Sequence, residues 1–436
     1  MSEFDVVINT RAYINGELRN VGIGIRNGVI TQVGGSLRGR VTVELPSNYI
    51  VLPGLVDIHV HLRDFELSYK EDINSGTRAA LAGGFVALGD MPNTKPPVKT
   101  LDLLRRRIEL LSKSPLHTRQ YFGAVKDLSL IKDARDAGAH AIGEVFPEEV
   151  LDYGGDDYLD ALLQKASEVG IPVIIHCEDP LIINQYRGPR DFQYHGEIRS
   201  PRAELSCVHN IIRLVLRYGA RVHLTHLTLP QSIRLIRDSG LDITFDVTPH
   251  HMLLSQEECL RIAEKPGYCK VNPPLRSEEV RRELLGMFLR GEVYMVASDH
   301  APHSEQEKEL PYDDAPPGIV GLETTAPLLL TLWKRGLTTM SNIVNTLHGR
   351  PMKFLNFNSG LGIGECADLT IINTKVSYSI DPSRFQSKAR FSPFRGFKVD
   401  VAVSATVLHG ELAWLNQEFT DQRVIEALDR AFKIIN

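Results

Sequence analysis

Between residues 51 and 299 the chain alternates eight times between a short apolar segment and a longer connection, and few folds accept that rhythm. The apolar segments are 51–61, 85–91, 119–125, 139–146, 171–178, 221–227, 242–249 and 293–299. Each has strand length and is rich in Val, Ile, Leu or Phe, as strands buried on both faces are. Helix-like patterns such as 101–113 and 158–169 lie between them. The alternation predicts an α/β fold with a parallel sheet, either open or closed into a (β/α)8 TIM-like barrel. The polar residues favour the barrel. Nearly every unusual one stands at the carboxyl end of an apolar segment, where barrels build their sites.

The two chain ends read differently. Residues 4–50 look like short strands turned at Asn15-Gly16 and Asn27-Gly28, and Asn-Gly is a strong hairpin signal because both residues tolerate positive φ. A β pattern returns in 368–373 and 397–414. These patterns predict a small β-sandwich domain built from both ends, 1–51 and 364–436, around a barrel spanning 52–363. A 43% hydrophobic fraction supplies the core for both. The net charge of −5 is spread along the chain with no basic stripe, which argues against nucleic acid. No apolar run approaches the roughly 20 residues of a membrane span, and the first residues lack a secretory pattern. Five scattered cysteines suggest neither a disulfide framework nor a metal knuckle, so a reducing cytoplasm is the expected compartment.

His59-Val60-His61 ends the first apolar segment. Strand side chains alternate sides, so both imidazoles point one way, about 7 Å apart along the strand, and can converge on one ion. His176, His226 and Asp299 each close a later apolar segment. An unpaired carboxylate buried there would cost several kcal/mol, whereas imidazoles and carboxylates sharing a metal solve one another's burial. Mixed nitrogen and oxygen donors suit zinc in a catalytic site. Glu144, on the fourth segment, is the leading candidate for an anion bridging two ions; Glu148 and Glu149 read as surface residues.

The run PGLVDIHVHLR (53–63) resembles the opening signature of dihydroorotases in the amidohydrolase superfamily. So do GGFVALGDMPNT (83–94), HCED (176–179), DVTPHHML (246–253), KVNPPLR (270–276), ASDHAPH (297–303), PPGIVGLET (316–324) and SPFRG (392–396), in family order. The resemblance implies a zinc-dependent enzyme of pyrimidine (UMP) biosynthesis that cyclises N-carbamoyl-L-aspartate to (S)-dihydroorotate reversibly. It implies that His59, His61 and Asp299 hold one zinc, that His176 and His226 hold the other, and that position 144 bridges. Relatives use a carboxylated lysine or an acidic side chain there, so Glu144 leaves two zinc ions, or one, as the expectation. The resemblance further assigns the substrate carboxylate to Arg63 and Asn93 with help from His303. It puts Asn272, Pro317, Gly318 and the ligand His61 in the same pocket. Asp299 doubles as the proton carrier. Expected partners are the small-molecule substrate, a second copy of the chain, or aspartate transcarbamoylase.

Two alternatives stay open at this stage. One is another cyclic amidohydrolase (hydantoinase, dihydropyrimidinase or allantoinase), for which an arginine clamp would mostly be idle. The other is a non-catalytic scaffold, against which the intact donor set argues. The charged segment 303–318 reads either as a lid over the barrel mouth or as a solvated loop.

Overall fold

The computed structural model of the chain describes residues 4–432. Eight parallel strands form its centre: β1 (Leu55–Val60), β2 (Phe85–Asp90), β3 (His117–Gln120), β4 (Ile142–Val145), β5 (Val173–His176), β6 (Val222–Thr225), β7 (Ile243–Val247) and β8 (Met295–Val296). Continuous ladders join β1 to β3 and β4 to β8. Two single bridges close the ring, Phe122 to Ile142 between β3 and β4, and Val60 to His300 between β8 and β1. The order of strands around the barrel is therefore their order in the chain, which decides for the closed barrel over the open sheet that the alternation alone left possible. Helices following β5, β6 and β7 begin on Pro201, Pro230 and Pro249, where a missing N–H costs nothing. Several end on a left-handed glycine such as Gly170, Gly219 or Gly240.

The chain ends build one further sheet. Its strands run in the order Glu411–Leu415, Ala402–Leu408, Leu369–Asn373, Tyr49–Pro53, Val6–Ile14, Glu17–Arg26, Val29–Gly34. The strand Val6–Ile14 pairs with Val41–Glu44 over one half and with Tyr49–Pro53 over the other, so the sheet forks there. Both Asn-Gly turns form as expected, with Asn15, Gly16, Asn27 and Gly28 all at positive φ. Period-two alternation then sorts side chains between two cores. Tyr49, Val51 and Ile371 enter the sheet domain's own cluster, while Ile50, Leu52 and Ile372 enter the barrel's. This double burial is why Tyr49–Pro53 continues into β1 as one unbroken apolar run. The segment around Phe385–Phe394 joins a third apolar cluster with Leu254, Tyr268 and Ile319.

The cysteines correct the sequence reading. Cys177 is bonded to Cys207 and Cys259 to Cys269, with Cα separations of 5.4 and 5.9 Å. Neither spacing marks a known framework. Cys177 meets Cys207 because the helix Pro201–Tyr218 returns across the end of β5. Among the described residues no helix is long and apolar enough to cross a membrane.

Candidate active site

The polar residues at the strand ends converge on one cavity of about 220 Å³ at the carboxyl rim of the barrel. His59 and His61 leave β1 on the same side, and their Nε2 atoms stand 3.2 Å apart. Two nitrogens on one tetrahedral ion would be about 3.3 Å apart. Asp299 Oδ1 lies 3.1 Å from His61 Nε2 and 3.3 Å from His59 Nε2. Glu144 reaches His59 Nε2 at 3.3 Å, His176 Nδ1 at 3.1 Å and His226 Nε2 at 2.7 Å. Gly143 makes that reach feasible: at φ +124° it lets β4 approach β5 so closely that a Cβ would sit 2.2 Å from the Ile174 carbonyl oxygen.

The outer nitrogens of three of these imidazoles are tied to acceptors. His61 Nδ1 donates to Asn93 Oδ1 at 2.6 Å. His59 Nδ1 bonds Thr225 Oγ1, whose hydroxyl in turn donates to Asp246. His176 Nε2 donates to Glu178 Oε2 at 2.6 Å, and Arg199 holds Glu178 from behind. Each such bond fixes a tautomer whose lone pair points inward, the arrangement metal-ligating histidines adopt. His226 Nδ1 is buried without a partner. Two donor groups thus gather, His59 with His61 and Glu144, and Glu144 with His176 and His226.

The electrostatics point the same way. Burial disfavours a charged His59, yet Glu144 and Asp299 outweigh it and lift its pKa to about 10. Burial likewise opposes charge on His176, but Glu144 and Glu178 carry it up to about 9. Glu144 and Asp299, despite burial, are held well below the usual carboxylate range by their imidazoles. A field that draws protons so strongly draws any cation. The backbone carries matching strain: Arg63, His226 and Asp299 sit at φ of 51°, 41° and 45°, a region costing non-glycine residues about 1–3 kcal/mol.

The opposite wall is cationic. Arg63 is buried, with Nε donating to the Pro302 carbonyl at 3.2 Å. Burial lowers its pKa to about 10, which leaves it charged at neutral pH. His303 is neutral: Lys70 donates to its Nδ1 at 3.0 Å, and its Nε2 donates to the Pro317 carbonyl at 3.0 Å. Asn272 adds a buried Oδ1 with no protein partner. Gly318 lines the cavity at φ +151°, where a Cβ would meet the Ala301 carbonyl oxygen at 2.5 Å. The segment 303–318 is anchored as a wall. Lys308 is fully buried and donates to the carbonyls of Lys270, Pro316 and Gly318.

Eleven of the twelve residues singled out from sequence line this one cavity: His61, Arg63, Asn93, Glu144, His176, His226, Asn272, Asp299, His303, Pro317 and Gly318. The twelfth, His59, touches His61, Glu144 and Asp299 from beneath. Against this geometry, the amidohydrolase family model matches residues 50–413. The chain belongs to the amidohydrolase family. As an amidohydrolase it is 36% identical over 407 residues to a dihydroorotase of Pyrobaculum aerophilum, covering 93% of this chain and 96% of the relative. A dihydroorotase of Shouchella clausii is 34% identical, covering 94% and 97%. Among solved structures, an L-hydantoinase (dihydropyrimidinase) of Arthrobacter aurescens superposes with a TM-score of 0.87 at 25% identity, covering 96% of this chain and 98% of that one. The chain is thus a metal-dependent cyclic amidohydrolase with the barrel and two-ended sheet domain of its family.

Sequence reasoning missed the supporting residues. Glu178 and Asp246 sat inside motifs already singled out, and a buried carboxylate two residues after a strand-end histidine was the available signal for Glu178. Glu148 is exposed as expected, but it borders the cavity and pairs with Arg199 at 3.6 Å. Glu149 is half-buried rather than a surface residue, paired with Lys99. Arg199 lines the cavity at the end of a short helix, and no local pattern announces it.

Proposed function

We propose that this chain catalyses the reversible cyclisation of N-carbamoyl-L-aspartate to (S)-dihydroorotate, the activity for which its curated relatives are named. The observation that carries the reading is the buried Arg63 guanidinium on the wall facing the histidine cluster, beside Asn93, His303 and the unpaired Asn272 Oδ1. A ring bearing a carboxylate needs such a planar cationic fork, and a neutral ring does not.

In this reading His59, His61 and Asp299 would hold one zinc ion and His176 and His226 a second, with Glu144 a donor within reach of both groups. The donor set fits, because three of the four imidazoles have their outer N–H already committed and their lone pairs directed inward. The ions would polarise the scissile ring carbonyl and acidify the attacking water. Arg63 and Asn93 orient the substrate carboxylate, while Pro317 and Gly318 bound the ring. During ring opening Asp299 takes the water proton and delivers it to the departing ring nitrogen as the C–N bond breaks. Closure runs the same proton transfers backwards. Acid favours closure, since the attacked carboxyl must be protonated, and alkali favours opening.

The hydantoinase-like shape supports a second reading, hydrolysis of a neutral cyclic amide. One experiment separates the two. Purified protein is incubated with dihydroorotate, hydantoin and dihydrouracil in parallel, with carbamoyl-aspartate and bound metal quantified in the same sample. Turnover of dihydroorotate alone, with zinc bound at the rim, is the expected result. Turnover of hydantoin or dihydrouracil with dihydroorotate untouched sinks the proposal.

A further inference from the structure

A second group of metal-type donors lies away from the cavity. His117 opens β3 at the amino-terminal end of the barrel, opposite the catalytic rim. Cys366 and Asp368 lie on the link entering the strand Leu369–Asn373, and His409 stands in the hairpin turn between Ala402–Leu408 and Glu411–Leu415. One ligand atom from each falls within 4.8 Å of all the others. We propose that His117, Cys366, Asp368 and His409 form a closed zinc-type site that pins the sheet domain to the base of the barrel. The proposal is independent of the reaction catalysed at the rim.

The distances suit a tetrahedral ion. His117 Nε2 stands 2.7 Å from Asp368 Oδ2, and Cys366 Sγ stands 3.3 Å from His409 Nδ1 and 3.5 Å from Asp368 Oδ1. His409 Nδ1 is 4.0 Å from Asp368 Oδ1. The edges of a tetrahedron with one zinc–sulfur bond and nitrogen or oxygen at the other corners run about 3.3–3.6 Å; the Cys366 distances match them, and the shorter His117–Asp368 contact is a hydrogen bond that an ion would replace. Outer contacts orient the donors. His409 Nε2 lies 3.2 Å from the Pro115 carbonyl, which can only accept, so the proton sits on Nε2 and the Nδ1 lone pair faces Cys366. Asp368 is fully buried and aligned by the His409 backbone N–H at 2.6 Å and the Ser359 hydroxyl at 2.6 Å.

Thiolate with imidazole selects a borderline-soft divalent ion such as zinc over magnesium or calcium. Four protein ligands leave no open position, the mark of a structural rather than a catalytic site. Loading is a simple exchange without redox chemistry: the Cys366 S–H bond breaks, its proton goes to solvent, and a metal–sulfur bond forms while both imidazoles bind neutral. Because the ligands come from three separate chain segments, binding stabilises only the docked arrangement of the two domains.

Cobalt(II) tests the site directly, because the rim donors include no thiolate while Cys177 is held in a disulfide. The full-length protein is saturated with cobalt(II) and its near-ultraviolet spectrum compared with those of Cys366→Ser and His409→Asn. Asparagine keeps the left-handed turn at φ 54° while removing the ring, which guards against misfolding. The expected result is a thiolate-to-cobalt charge-transfer band in the parent and its loss in both variants. In zinc, each variant should bind one equivalent less metal and melt a few degrees lower at unchanged turnover. Absence of the band at saturating cobalt, or equal metal content and melting in parent and variants, would mean that these residues form a hydrogen-bonded knot and would overturn the proposal.

Discussion

The barrel carries imidazole and carboxylate at both ends, and the two clusters are built to different ends. At the catalytic rim, four histidines with Glu144 and Asp299 are almost fully buried, yet all but His59 border an open cavity. At the base, His117 and His409 keep side-chain exposures of 20% and 47%, and the outer wall is a backbone carbonyl. Rim donors come mostly from strand ends within one barrel, whereas base donors come from segments of both domains. Left-handed backbone does not separate the two, since Arg63, His226 and Asp299 at the rim and His409 at the base all adopt it. In the readings proposed above, the unfilled side of the rim admits substrate, whereas four donors at the base leave no open position. The same residue types therefore read as a reaction centre in one place and as a clamp in the other.

Variants at each end should fail in opposite ways. The largest expected effect is Asp299→Asn, which should cut turnover by ~10²–10⁴-fold while bound metal is retained, read by steady-state kinetics beside metal analysis. Near-normal turnover with metal bound would remove Asp299 from proton transfer. Next comes Arg63→Gln, which should cost about 1.5–3 kcal/mol, ~10–160-fold in kcat/KM, for dihydroorotate. A neutral cyclic amide should be unaffected, and equal losses on both substrates would break the claim that this wall reads a carboxylate. Glu178→Gln should weaken metal binding at the rim by ~10–100-fold, measured by competition with a chelator, because His176 loses the partner that orients it. The smallest expected effect is at the base. Cys366→Ser should lower the melting temperature in zinc by a few degrees and leave kcat and KM unchanged. Any loss of turnover there would join the two clusters into one functional unit.

Much of the rim was legible because strand parity is local. Once 51–61 reads as a strand, His59 and His61 must share a side, and Glu144 stands out as the acidic residue on its own apolar segment. The supporting residues were less legible. Thr225 and Asp246 act through a contact between neighbouring strands, and Arg199 reaches Glu178 from 21 residues away. The disulfides escaped notice for the same reason, since partners 30 and 10 residues apart meet through helix packing and loop closure rather than spacing.

The amino-acid order alone determined the eight-fold rhythm, the Asn-Gly hairpins and the side of β1 on which the two imidazoles project. These follow from backbone periodicity and local steric preference, which act over a few residues. Only tertiary structure decided that strands far apart in sequence close through Val60 and His300, and that His117 meets Cys366, Asp368 and His409. Such meetings depend on where the barrel closes and how the sheet domain docks. Those are set by summed burial over two cores, which no short stretch of the chain encodes.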